Sequence, residues 1–236
     1  MTDLDGRVIA IAGAGGGLGP VVAKRLADAG ATLALADRSQ EIADSTAEGL
    51  GVEDDRVDPR AVDLLDESAA NDWAAAIEAR FGRIDGLLHL VGGYRGGEPI
   101  HSFDLADYDF LHALLVRTLQ YTSRAFHPAL TMSGRGRFVF VSAAAAQNPE
   151  DANAAYASAK AAAEAWTLAL ADSFAGTGAT ANIIVVNAIE TPALREENPA
   201  AERPTFTPAE DIADAIAFLC SDSASRMNGQ RLSLHP

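Results

Sequence analysis

A chain of 236 residues, 48% of them hydrophobic, can bury one sizeable core, and 33 acidic against 18 basic residues give it a formal net charge of −15. That balance argues against a nucleic-acid ligand, whose phosphates need clustered Lys and Arg, and predicts an acidic, well-solvated surface. No run reaches the roughly 18 apolar residues of a membrane span, the start shows no cleavage pattern, and a lone Cys220 allows neither an internal disulfide nor a cysteine metal site.

A cytoplasmic location, no membrane partner, no metal and a small buried Cys220 are therefore expected. Taken in chain order, apolar strands alternate with amphipathic helices. The strand RVIAIAG leads through glycines into the helix LGPVVAKRLADAG, and TLALAD and RAVDL read as the second and third strands. The helix DESAANDWAAAIEARFG precedes the strand DGLLHLVGG. A single long helix, LADYDFLHALLVRTLQYTSRAFHPALT, then leads to the strand GRFVFVSA. The helix ANAAYASAKAAAEAWTLALADSFAG, the strand TANIIVVNAI, the helix TPAEDIADAIAFLCSD and the strand QRLSLH complete the chain. Strands apolar on both faces that alternate with helices predict α/β architecture, a doubly wound parallel sheet of about seven strands with helices on both faces. One domain over 1–236 is expected, with the long loop ETPALREENPAAERPTFTP, 190–208, serving as a substrate loop.

Three stretches carry chemistry. Glycines between a buried strand and a helix let the backbone approach a pyrophosphate, while the free N–H groups of the helix start attract it. The spacing here is G-x-x-x-G-x-G, on Gly13, Gly17 and Gly19. G-x-G-x-x-G fails, since Leu18 falls at its third glycine, and no Lys-Ser or Lys-Thr pair follows, which sets aside a nucleoside triphosphatase loop. Pro20 suits a first helical residue. Asp37, ending the second strand, can accept from an adenosine ribose and would repel a 2′-phosphate, so NAD is favoured over NADP; the adjacent Arg38 could stack on adenine or embrace that phosphate. Asp63 can cap a helix or meet the adenine amino group. Tyr156 and Lys160, at i and i+4, share one helix face.

On the glycine pattern AGAGGGLG, VDLLD, LHLVGG, Tyr-Ala-Ser-Ala-Lys and the closing FTPAEDIADAIAFLCSDSASRMNGQRLSLHP, which run in family order over nearly the whole chain, the sequence resembles the short-chain dehydrogenase/reductase family. The resemblance implies an NAD or NADP cofactor, dimers or tetramers, and hydride transfer to or from a small carbonyl or alcohol substrate. It makes Tyr156 the acid/base and gives Lys160 two tasks, holding the nicotinamide ribose and lowering the tyrosine pKa. The expected cofactor site comprises Gly13, Gly15, Gly16, Gly17, Leu18, Gly19, Asp37, Arg38, Asp63, Leu64, Val91, Gly92, Lys160, Ile189 and Thr191, the last reaching the carboxamide.

The chain departs from the family pattern at several points. The family serine thirteen positions before the tyrosine is Ala143; the neighbouring Ser142 can serve only if the strand end is irregular, because side chains one apart point to opposite faces. The relay asparagine falls near Leu115. The Asn-Asn-Ala-Gly turn reads His89, Leu90, Val91, Gly92, and the Pro-Gly after the sixth strand reads Val186, Asn187, a match anchored by Asn182 and Thr191. His89 is expected to fix backbone or to be partly buried rather than to catalyse, Trp73 and Trp166 to pack in the core or at an interface, and His101, His112, His127 and His235 have no partner suggested by spacing. VGGYRGGEPIHSF and the 190–208 loop should line the pocket, with Tyr94, Phe103, Leu194 and Phe206 as its apolar side chains. Two readings stay open, an oxidoreductase and a weak or inactive dinucleotide-binding protein. A nucleotide-sugar epimerase or dehydratase would want a longer carboxyl-terminal portion.

Overall fold

The computed structural model describes residues 3–235. Its strands are β1 (Val8–Ala12), β2 (Thr32–Asp37), β3 (Val57–Ala61), β4 (Gly86–His89), β5 (Arg137–Ala143), β6 (Thr180–Val186), β7 (Ala188–Glu190), β8 (Phe206–Pro208) and β9 (Arg231–Ser233). Its helices are α1 (Gly19–Asp28), α2 (Gln40–Glu48), α3 (Glu67–Phe81), α4 (Leu105–His112), α5 (Thr118–Met132), α6 (Ala154–Ser173), α7 (Pro192–Glu197) and α8 (Ala209–Cys220). Seven strands form one parallel sheet in the order β3-β2-β1-β4-β5-β6-β9, and β7 pairs with β8 in a separate ribbon. The predicted architecture is therefore the one found.

Strict alternation along the buried strands divides the core in two. Ile9, Ile11, Leu33, Leu35, Val139 and Val141 face the layer of α1 and α8. On the opposite face the small Ala10, Ala12, Ala34 and Ala36 leave room for the bulk of α3, α5 and α6, including Trp73, Phe126 and Phe174. Trp73 meets Phe126 edge-on, and Trp166 donates to Ser123 Oγ at 2.9 Å, so both tryptophans pack as expected. Cys220 is fully buried, and burial pushes its thiol up to about 12. The strand order reverses between β1 and β4, which opens a crevice at the carboxyl ends of the strands.

Four features depart from the sequence reading. The third strand lies at Val57–Ala61 rather than at RAVDL; it includes Pro59, tolerated because β3 is a sheet edge. Helix α2 escaped the reading, although Ser39 caps it by accepting from Ile42 N–H. The predicted long helix is interrupted by a π turn over Ala113–Arg117 between α4 and α5. Finally, 190–208 is not one bare loop. Thr191 caps α7 by accepting from Leu194 N–H, and the parallel pairing of β7 with β8 clasps the two ends of the segment. Arg203, only 10% exposed, donates to the carbonyls of Leu194 and Asn198 and latches the interior of the segment onto α7.

Candidate active site

The glycine loop owes its shape to contacts that no larger residue would permit. Gly13 has φ +83° and sits where a Cβ would come within 2.9 Å of Val91 N; a Cβ on Gly19 would meet Ala14 O at 2.2 Å. Gly15 lies under Ile42 and donates its N–H to Asp37 Oδ2 at 3.1 Å. Gly16, Gly17 and Leu18 line the crevice, whereas Gly15 and Gly19 stand outside its wall and shape the turn. Helix α1 begins without a side-chain cap, but Gly19 N–H donates to Gly16 O at 3.0 Å and Pro20 has no N–H, so of the first three helical residues only Val21 keeps an N–H for an anion.

Two connected hollows share Gly16, Leu90, Val91 and Gly92. One, bounded by Asp37, Arg38, Asp63 and Leu64, lies beside the β2 end; the other reaches Tyr156, Lys160, Ile189 and Thr191. Asp37 accepts from the N–H groups of Gly15, Arg38 and Ser39, which fixes its carboxylate at the far end of the crevice. Asp63 accepts from Leu65 N–H in a tight turn, and the capping of α3 falls to Asp66 instead. An elongated cradle closed to side chains at its glycines, with an acceptor at one end and a phenol and an ammonium at the other, fits a dinucleotide. Leu90, which joins the two hollows, was missed in the sequence because an apolar residue after a buried strand looks like core.

Lys160 is 5% exposed. It donates to Val141 O at 2.9 Å and lies over the Phe140 ring, 4.8 Å from its centroid. Burial pushes its pKa down to about 8, against a smaller upward pull from Glu164, one turn further along α6. Tyr156 is half-buried. Its ring packs edge-on against Tyr94 at 5.1 Å, and burial, followed by Tyr94, pushes the phenol up to about 12. This reverses the expected lowering by Lys160. The ammonium lies 5.9 Å from the tyrosine ring centroid and is engaged by a carbonyl, so desolvation dominates.

Ser142 alternates onto the face of Phe138 and Phe140; its Oγ is buried with no partner among the described residues. Ala143 lines the crevice with a methyl group. Leu115, in the π turn, packs among Leu111, Val116, Ala155 and Ala159, with Tyr156 against the cluster. His89 is fully buried, its two nitrogens 3.2 and 3.1 Å from the hydroxyls of Thr118 and Thr122; burial, and then Lys160, pushes it down to about 3, so it is neutral. It therefore fixes side-chain hydroxyls rather than backbone. His127 finds Ser173, a partner too distant in sequence for spacing to suggest. Of the four predicted apolar pocket residues only Tyr94 lines this crevice. Phe103 belongs to a separate hollow with Ile100 and Tyr108, and Leu194 and Phe206 lie outside the wall. Among the described residues no cluster of metal-ligating side chains occurs and no helix is long and apolar enough to cross a membrane.

Comparison with known proteins bears on this site. A family model described as enoyl-(acyl carrier protein) reductase matches residues 13–234. The chain is 32% identical to the BbsC subunit of (2S)-[(R)-hydroxy(phenyl)methyl]succinyl-CoA dehydrogenase of Thauera aromatica, covering 97% of this chain and 92% of that one. A crystal structure described as a short-chain dehydrogenase/reductase, glucose/ribitol dehydrogenase, from Brucella melitensis superposes with a TM-score of 0.87 at 27% identity, covering 99% of this chain and 96% of that one. A 3-ketoacyl-(acyl-carrier-protein) reductase of the same organism, complexed with NADH, gives a TM-score of 0.85 at 27% identity, with 99% and 98% covered.

Proposed function

The chain belongs to the short-chain dehydrogenase/reductase family and is an NAD(P)-dependent oxidoreductase of small molecules; from that premise we propose that Tyr156 and Lys160 carry its proton chemistry. The observation that supports this reading is that both side chains line the same hollow as the glycine loop and Thr191. The bound dinucleotide would supply or accept the hydride. In carbonyl reduction Tyr156 Oη gives its proton to the substrate oxygen; in alcohol oxidation it takes that proton back. A phenol held near 12 is protonated at neutral pH, the form reduction needs. Lys160 keeps one N–H on Val141 O and turns its remaining donors and charge toward the ribose. Gly16, Gly17 and Leu18 hold the diphosphate. Asp37, in the wall of the first hollow, would hold the adenosine ribose, which favours NAD over NADP, and Thr191 and Ile189, in the wall of the second, would border the nicotinamide.

Tyr94, Ala145, Val186 and Ala188 make the substrate end of the wall largely apolar, which suits a small, mainly apolar carbonyl or alcohol. The clasped 190–208 segment acts as the substrate loop, and the active particle is a dimer or tetramer, to be read by analytical ultracentrifugation. The test of the chemistry is NADH oxidation with a panel of ketones, aldehydes, quinones and imines. We expect turnover by the parent and a loss of about 10²–10⁴-fold in Tyr156→Phe. Equal, negligible rates in both proteins, with NADH still bound, would instead favour a dinucleotide-binding protein without turnover, for which the enclosed Ser142 hydroxyl is the specific argument.

A further inference from the structure

The crevice has a phenol to protonate the substrate oxygen, but no exposed hydroxyl is shown beside it to orient that oxygen: residue 143 is alanine, and Ser142 contributes to the wall while its Oγ is buried without a partner among the described residues. A donor must come from elsewhere in the wall. Asn153, immediately before α6 and three residues ahead of Tyr156, lines the same hollow as Tyr156. Its orientation is fixed by the local fold. Asn153 Oδ1 accepts from Glu150 N–H at 2.9 Å and the Glu150 side chain answers to the Asn153 backbone N–H, a reciprocal capping box. Because a backbone N–H can be met only by the amide oxygen, Nδ2 is the end left over, and it makes no hydrogen bond to a described residue.

The rival donors are less well prepared. Lys160 gives one donor to Val141 O and its others are assigned above to the ribose, Thr191 Oγ1 accepts from Leu194 N–H and keeps its own hydrogen for the nicotinamide end, and Asn187 is exposed with no hydrogen bond to hold it. Building on the acid/base assignment above, we propose that Asn153 Nδ2–H is the donor that binds and orients the substrate's carbonyl oxygen. It makes the contact a serine at 143 would make, so Asn153 is a catalytic residue for carbonyl substrates. A hydride that bound NADH would supply, leaving NAD+, adds to the carbonyl carbon; the carbonyl π electrons move to oxygen, which takes the proton of Tyr156 Oη, and the phenolate left behind regains a proton from water. Asn153 transfers nothing; its hydrogen bond strengthens as charge gathers on that oxygen, so the effect belongs to kcat.

The experiment compares parent, Tyr156→Phe, Asn153→Ala, Asn153→Asp and Asn153→Ala/Ala143→Ser in NADH-dependent reduction of the best ketone of the panel, with NADH affinity followed by fluorescence and folding by thermal melting. Asp keeps the acceptor for Glu150 N–H, and so the cap, while removing the donor. We expect kcat to fall about 10²–10³-fold in both single variants with NADH affinity unchanged, and the serine at 143 to restore at least about ten-fold in the double variant. Parental kcat in either Asn153 variant, or a loss the serine does not recover, overturns the inference while Tyr156→Phe upholds the acid/base reading. A parent no faster than Tyr156→Phe brings down that reading, and this inference with it.

Discussion

At Lys160 and Tyr156 burial moves two neighbouring groups in opposite directions, and each shift has a measurable sign. Lys160 falls to about 8 in the fold, below the roughly 10.4 of a free lysine, so the unfolded chain holds the extra proton between those values and stability rises as pH climbs through that window. Tyr156 does the reverse: from about 10 to about 12 the folded chain keeps its proton, and stability drains away. If the ammonium supports reduction, kcat/KM for a ketone declines above about pH 8; in Lys160→Ala that limb disappears along with most of the activity, and a limb that persists would belong to another group. Asp37→Ala is expected to weaken NAD binding about ten-fold or more, read by titration calorimetry, while NADP binding improves as the carboxylate is removed. The pairing of Tyr156 with Lys160 was legible because helical spacing alone puts them on one face. The raised phenol was not, since it depends first on how deeply the tertiary fold buries the ring and then on Tyr94, a residue more than sixty positions away that packs edge-on against it.

Whole strands and helices were easier to read than their edges. Continuous apolar runs marked β1, β5 and β6, each buried along its length, and β2, buried except at its two ends. β3 was misplaced because its Pro59 argues against a strand until its place at the sheet edge is known. Helix α2 is half polar and short, so its period is faint; Ser39 before Glu41 was the available signal. The π turn left no mark in the apolar pattern, because Leu114, Leu115 and Val116 are apolar whichever way the backbone winds. At the glycine loop the agreement can be tested directly. Gly19→Ala forces a methyl to within 2.2 Å of Ala14 O at the first turn of α1. The loop must then open, and we expect NADH affinity to drop about ten-fold and the melting temperature to fall by several degrees. Unchanged binding would mean that the loop's close approach to α1 is not required.

For the molecule as a whole, the net charge of −15 sets a background of self-repulsion that no individual ion pair cancels. Adding sodium chloride from about 0.02 to 0.5 M shortens the Debye length several-fold, so the melting temperature should rise by a few degrees; a fall would show that ion pairs such as Arg83 with Asp85 outweigh the repulsion. Charge and composition could not reveal how 190–208 is anchored. Because β7 and β8 staple its two stems together and Arg203 ties its middle, that segment can be severed without being released. A single proteolytic scission between Asn198 and Arg203 would therefore yield two polypeptides that still travel as one particle and part only in denaturant.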